Sequence, residues 1–299
     1  MAFFQNHVRP GPIPLESIVN CVNSTLHTLV LHTHYTEYRF IDNIRAEASF
    51  NCELRKIQKG LMSNAKTVLV TGCSRGIGLG IVKEYTNRGY KVIATCRRPE
   101  QAANLSEFLQ ANGQPNAFPL DVGSHTSIRE CYDQVTKHHA KLDILVNNAG
   151  ISNKDHPDDL ASNTDPEEFE MIMRTNVTGV LHMTQSFLPL LRKSDSPRVI
   201  NISSALGSLA ESPRFSTTSY QCSKAALNML TKCFAHDAQD VIFVSMHPGW
   251  VKTDMGSSKN RVPPVSVEDS AKGILDVAHS VGKEESGIFK GFDGASIKF

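Results

Sequence analysis

The stretch from 67 to 89 constrains this chain more than any other. Thr67-Val68-Leu69-Val70 is a short run of β-formers and reads as a buried strand. Thr71-Gly72-Cys73-Ser74-Arg75-Gly76-Ile77-Gly78 follows at once, and Gly80-Ile81-Val82-Lys83-Glu84-Tyr85 then reads as a helix ending near Gly89. A glycine loop between a strand and a helix has a physical use. Glycines let the chain turn tightly and let a pyrophosphate approach the backbone, and the first helical turn offers unpaired N–H groups and a positive dipole. The alternative is a glycine-rich turn that holds no ligand.

The pattern recurs down the chain. Strand-like runs at 90–96, 117–122, 142–146, 198–204 and 241–246 alternate with helical stretches, and Ile288, Phe289 and Gly291 belong to a final strand. Such alternation predicts an α/β fold, a Rossmann-type doubly wound parallel sheet flanked by helices. With 299 residues, 40% of them hydrophobic, a large single core is within reach. The net charge of +1 argues against nucleic-acid or anionic-membrane binding. No apolar run approaches the ~18 residues of a membrane span. The seven cysteines lack Cys-x-x-Cys spacing and read as free thiols of a reducing compartment, with no metal site. Sequons at Asn23, Asn104, Asn176 and Asn201 read as chance matches.

Residues 1–62 stand apart. They hold His7, His27, His32 and His34 and show no sustained periodicity. The first fifteen positions contain one arginine and no acid, a faint echo of a transit peptide that the acids further on contradict. His32 and His34 have no third ligand at metal spacing. We read 1–62 as an N-terminal extension, poorly ordered or foreign to a functional protein that begins near Met62. The expected domain is then 63–299.

Further on, Tyr220-Gln221-Cys222-Ser223-Lys224 sets a tyrosine and a lysine four apart, on one helix face. A phenol normally loses its proton near pH ~10, and a cation held beside it lowers that value. The pair is a candidate general acid, although such a pair alone is common by chance. Cys222 falls roughly 200° around the helix from Tyr220 and is expected to be a packing residue turned away from it.

Together these stretches resemble the short-chain dehydrogenase/reductase family. Thr71 leads the Gly-x-x-x-Gly-x-Gly of Gly72, Gly76 and Gly78, and Asn147-Asn148-Ala149-Gly150 directly follows the fourth strand. Asn176-Val177-Thr178-Gly179, the pair Ser203-Ser204 ahead of Tyr220 and Lys224, and Pro248-Gly249 with Thr253 complete the resemblance, which covers 66–299. Sixteen positions separate Ser204 from Tyr220, with the extra residues around 212–218. That longer loop, and the run from Thr71 to Gly80, are similar to the C-factor-like or sniffer-like branch of carbonyl reductases.

The resemblance implies roles. Ser204, the second of its pair, would orient a substrate carbonyl beside Tyr220. Lys224 would lower the tyrosine pKa and hold the nicotinamide ribose, and Asn176 would hold a water that relays protons. Cofactor contacts would come from Gly72, Ser74, Arg75, Gly76, Ile77 and Gly78. Asp121 and Val122 would meet the adenine, while Asn148, Ala149 and Gly150 would line the cofactor. Pro248, Gly249, Val251 and Thr253 would position the carboxamide, and Asn147 would steady the sheet. From the residues alone, Asp121 is equally a candidate N-cap for the next helix, and Asp165, Pro166 and Glu168 read as a capping box.

No acid follows the second strand, where a carboxylate would bind the ribose hydroxyls of NAD. Arg97 and Arg98 stand there instead, and Arg75 sits in the loop. A guanidinium fork suits a 2′-phosphate, so the expected cofactor is NADP(H).

The expected activity is that of an NADPH-dependent carbonyl reductase, moving a hydride between NADP(H) and a small carbonyl or alcohol. A short lid at 254–264, with Gly256 and Pro263-Pro264 as hinges or brakes, suggests an open site, and His247 reads as structural. Two alternatives are a non-catalytic NADPH-binding redox sensor and an NAD-dependent alcohol or steroid dehydrogenase. The intact catalytic quartet weighs against the first and the missing acid against the second. Expected partners are the small-molecule substrate and, at most, copies of the chain in a homodimer or homotetramer. No nucleic acid or membrane is expected, and the expected location is the cytoplasm.

Overall fold

The computed structural model describes residues 65–153, 159–212, 216–257 and 262–299, all within the unit Asn64–Phe299. The expectation for 1–62 lies outside the described residues, as do parts of the loops 212–218 and 254–264.

Seven strands form one sheet: β1 (Thr67–Val70), β2 (Lys91–Cys96), β3 (Phe118–Pro119), β4 (Ile144–Asn147), β5 (Arg198–Ile202), β6 (Ile242–His247) and β7 (Ile288–Gly291). Their spatial order is β3-β2-β1-β4-β5-β6-β7, and every ladder is parallel. The order reverses between β1 and β4, which opens a crevice at the carboxyl ends of those strands. The expected doubly wound sheet is therefore present. Its third strand is shorter than expected. Only Phe118 and Pro119 form the ladder with β2, with the Leu120 N–H bonding the Cys96 carbonyl at 2.9 Å, and on this edge strand the proline nitrogen faces away from β2.

The strands read as apolar runs because both faces are covered. Val68, Val70, Ile144, Val146, Ile200 and Val244 point to one side. They meet α1 (Gly76–Asn87), α2 (Ala103–Ala111) and, later in the chain, the helix Val267–Ser280. Leu69, Ile93, Leu145, Val199 and Phe243 point to the other side. There they meet α3 (His125–His138) and the helix Gly179–Leu191.

Between β4 and β5 the chain forms α4 (Pro166–Met173), a π turn (Arg174–Thr178) and α5 (Gly179–Leu191). The junction residues keep helical angles, so the three run on as one rod. Asp165 caps it through the Glu167 N–H at 3.0 Å. The expected capping box through Glu168 is corrected: the carboxylate reaches the second N–H of the helix rather than the third. Then come α6 (Thr218–Asp237) and α7 (Val267–Ser280). Among the described residues no helix is long and apolar enough to cross a membrane.

One polar ladder crosses the sheet. Asn147, Asn201 and Ser245 are in register on β4, β5 and β6. Asn147 Nδ2 donates to Asn201 Oδ1 at 2.9 Å, and Asn201 Nδ2 donates to Thr231 Oγ1 at 2.9 Å. Ser245 Oγ donates to the same Thr231 oxygen at 3.0 Å, so α6 is fastened to the sheet. Asn147 thus braces the sheet interior.

Candidate active site

The loop after β1 is drawn tightly against the loop after β4. Gly72 (φ 71°) and Gly76 (φ 57°) adopt left-handed backbone that disfavours side chains. A Cβ on Gly78 would collide with the Gly72 carbonyl oxygen and lie 2.6 Å from Asn148 Nδ2. Thr71 Oγ1 accepts the N–H groups of Asn148 and Ala149, both at 3.0 Å. Asn148 Nδ2 returns bonds to the carbonyls of Thr71 (2.8 Å) and Gly72 (3.2 Å). Asn148 therefore braces the loop from behind. Beyond it α1 begins at Gly76 with no side-chain cap, so its first turn keeps N–H groups for an anion. A glycine cradle in front of an uncapped helix fits a pyrophosphate.

Basic groups lie along the same rim. Ser74 and Arg75 are exposed, and Arg75 Nε pairs with Asp254 Oδ2 at 3.1 Å. Arg97 and Arg98 are exposed just past β2. Asp121 is exposed, and its Oδ1 accepts the Gly123 N–H at 2.9 Å. The suggestion that it caps α3 is corrected: Ser124 does so, accepting from Ser127 N–H at 3.3 Å.

The carboxyl ends of β5 and β6 bring the remaining groups to this crevice. Tyr220 lies in the first turn of α6, with the Ser204 hydroxyl near enough to its phenol to draw its pKa down. Ser203 is turned away, donating to Asn228 Oδ1 at 2.6 Å. Lys224, one turn after Tyr220, is buried and donates from Nζ to the Ile202 carbonyl at 2.8 Å. Its Nζ stands 5.5 Å from the Tyr220 ring centroid.

Burial pushes the Tyr220 phenol up to about 12, while the Ser204 hydroxyl draws it down. Desolvation outweighs any such pull here, and the lysine itself is pushed down to about 8 by burial. A phenol in that state is protonated at neutral pH and can serve as a donor.

Asn176 lies in the π turn and is fully buried. Its Oδ1 accepts the Ile151 N–H at 2.9 Å. Its Nδ2 donates to the Ile151 carbonyl at 2.8 Å and to Ser223 Oγ at 3.0 Å. Ser223 Oγ in turn donates to the Tyr220 carbonyl at 2.7 Å. Both Asn176 Oδ1 and Lys224 Nζ face Gly150, where an added Cβ would meet them at 3.2 and 3.6 Å. The missing side chain at 150 leaves room between the amide and the ammonium.

After β6, Pro248 accepts Ser270 Oγ on its carbonyl at 2.7 Å, and Val251 is buried. Thr253 closes a tight turn by accepting the Gly256 N–H at 3.1 Å, and its methyl packs by Gly76. His247 Nδ1 accepts the Ala205 N–H at 3.2 Å, and burial lowers its pKa, in keeping with a structural histidine. Cys222 is exposed, so its expected packing role is corrected. Sequence reasoning missed the bridging hydroxyl of Ser223 and the acid Asp254 opposite Arg75. Ser223 was signalled only by its place between Tyr220 and Lys224.

A family model described as short chain dehydrogenase matches residues 66–263. An uncharacterized oxidoreductase of Schizosaccharomyces pombe is 33% identical over 254 residues, covering 78% of this chain and 98% of the relative. The crystal structure of an NADPH-bound carbonyl reductase from chicken fatty liver superposes with a TM-score of 0.72 at 34% identity, covering 79% of this chain and 99% of that one. The carbonyl reductase Sniffer of D. melanogaster gives 0.72 at 28% identity, covering 79% and 100%.

Proposed function

The chain belongs to the short-chain dehydrogenase family, and we propose that it is a carbonyl reductase moving a hydride between NADP(H) and a small carbonyl or alcohol. The observation that carries this reading is the meeting of Ser204, Tyr220 and the buried Lys224 at the carboxyl end of β5, in the crevice that also holds the glycine cradle. The NADPH-bound state of the chicken liver carbonyl reductase supports the choice of cofactor.

Gly72, Gly76 and Gly78 with the start of α1 would hold the pyrophosphate, and Ser74 and Ile77 flank it. Arg75 and Arg97 would hold the 2′-phosphate. Asp121 and Val122 would lie by the adenine, and Ala149, Gly150 and Lys224 by the nicotinamide ribose. Val251 and Thr253, on the Pro248-Gly249 turn, would face the carboxamide. When bound, NADP(H) supplies the hydride that reaches the carbonyl carbon.

Ser204 donates to the carbonyl oxygen and fixes its direction. Tyr220 passes its proton to the same oxygen as negative charge develops there, and takes it back from an alcohol in the reverse direction. Lys224 faces the deprotonated phenol with a positive charge. Asn176 steadies the helix carrying both, and its Oδ1 faces the space above Gly150 through which a proton can return.

Away from the basic groups, the loops at the carboxyl ends of the strands also carry exposed apolar side chains. Leu160, Leu209, Trp250, Met255 and Val262 are exposed on the loops that leave β4, β5 and β6. Such side chains favour an uncharged, apolar carbonyl compound. The test is oxidation of NADPH in the presence of quinones, aldehydes, diketones and ketosteroids, with NADH as control. Turnover with an apolar carbonyl, lost in Tyr220→Phe while NADPH still binds, is the expected outcome. A Tyr220→Phe enzyme with unchanged turnover would refute the assignment.

A further inference from the structure

We propose that Asp159 is a positioning residue for the reaction: from a loop sixty residues upstream it caps the helix that carries Tyr220, and so sets where the phenol stands. The proposal rests on Tyr220 being the proton donor.

The need for such a cap follows from where Tyr220 lies. It is the third residue of α6, in the first turn, where helices fray and backbone N–H groups have no partner within the helix. Gln221 Oε1 accepts the Thr217 N–H at 3.2 Å, but the cap residue supplies no acceptor for the first N–H groups of the helix. Thr217 makes no side-chain bond at the cap position, and the first turn holds no acidic residue.

Asp159 fills both gaps. Its backbone carbonyl accepts the Thr218 N–H and the Thr218 hydroxyl, each at 2.9 Å. Its Oδ2 accepts the Ser219 N–H at 2.7 Å. Asp159 and Thr217 also form a parallel bridge, so the two backbones are in register at this point. The residue after these donors is Tyr220.

The carboxylate is fixed in turn. Asp159 is 4% exposed, and its other bonds come from the Thr164 hydroxyl on Oδ1 and the Asn153 amide on Oδ2. Asn153 lies two positions past Ile151, whose N–H and carbonyl grip Asn176. One segment after β4 therefore holds Asn176 at one end and the start of the Tyr220 helix at the other. A buried carboxylate is costly to desolvate, and a neutral serine or asparagine would suffice to cap a helix. A negative charge at the N-terminus also opposes the positive end of the helix dipole, which stiffens the turn on which the phenol rides.

The test compares wild type with Asp159→Ala, Asp159→Asn and Tyr220→Phe in the full-length protein. NADPH-binding sites are counted by fluorescence titration, and kcat is expressed per binding site, so a smaller folded fraction does not pass for slower chemistry. Asp159→Ala is expected to keep NADPH Kd within about twofold and lose kcat on the order of tenfold or more, because sub-ångström displacement of a proton donor is felt in kcat. Asp159→Asn, which keeps an oxygen for Ser219 N–H, is expected to regain most of that loss. Unchanged kcat in Asp159→Ala, with Tyr220→Phe inactive, would overturn the proposal and leave the role of Tyr220 standing. An active Tyr220→Phe would instead overturn the reading on which it rests. Should Asp159→Ala not fold, Asp159→Glu decides. It keeps the charge and moves the carboxylate by one methylene; a kcat lowered about fivefold at unchanged Kd supports the proposal, and an unaltered kcat overturns it.

Discussion

Lys224 Nζ donates to the carbonyl oxygen of Ile202 at 2.8 Å, so the lysine of α6 is tied to the last residue of β5. The bond gives the buried ammonium one protein partner and anchors it beside Tyr220.

The same burial has a stability cost with a definite sign. The lysine is lowered from 10.5 to about 8 by desolvation. Below pH 8 it is charged in folded and unfolded chains alike, and the full penalty applies. Between there and its ordinary value the unfolded chain binds more protons, so stability rises with pH. Lys224→Met is therefore expected to melt above wild type at pH 7, by about 1–3 kcal/mol after losing the Ile202 bond. The gap should close toward pH 10, while turnover is lost throughout. Thermal denaturation across this pH range checks it.

Ser203 and Ser204 should separate cleanly by mutation. Ser204→Ala is expected to lower kcat on the order of 100-fold with little change in melting temperature. Ser203→Ala removes the hydroxyl that satisfies Asn228 Oδ1. It should cost about 1–2 kcal/mol of stability and keep most of the turnover. Parallel kinetics and melting curves of the two variants decide the matter.

Arg75 and Asp254 form an ion pair with both side chains largely exposed. A 2′-phosphate would compete with Asp254 for that guanidinium. Asp254→Asn is expected to tighten NADPH binding by about two- to fivefold, the worth of an exposed pair, with NADH unaffected. Arg75→Ala should weaken NADPH about tenfold. Fluorescence titration with both nucleotides provides the comparison.

A chain beginning at Met62 is expected to bind NADPH and turn over as the full chain does, because the site described here is built from residue 67 onward. Kinetics of the shortened protein test this. A truncated chain that folds, binds NADPH and yet fails to turn over would give the extension a role.

What could be read beforehand was local. The glycine loop, the apolar runs and the Tyr220–Lys224 spacing carry their meaning within a few residues, and six of the seven strands lie within two residues of their expected positions. What could not be read depends on segments far apart. Asp159 meets Ser219 across sixty residues, and no local pattern around 159 announces it. The same holds for Ser203, whose partner Asn228 sits on another element. The rise in the Tyr220 pKa is likewise a tertiary fact, since a helical spacing shows that a cation is near but not how much water has been removed. Cys222 shows a related gap: helical phase cannot say whether anything covers a side of the helix, and Cys222 is exposed.

The π turn at Arg174–Thr178 has a consequence for how this enzyme can change. It lets one more residue into a rod that would otherwise keep a regular winding. Removing one residue there would let an ordinary α-helical turn form with the flanking segments kept in phase, because the wide turn is what absorbs the extra residue. The repaired helix would gain regular hydrogen bonds but would remove or shift Asn176, whose amide reaches Ile151 and Ser223 from the wide turn. Single-residue deletions in this turn are thus open to a gain in stability and closed to function, so the irregularity is held in place by the chemistry it aims.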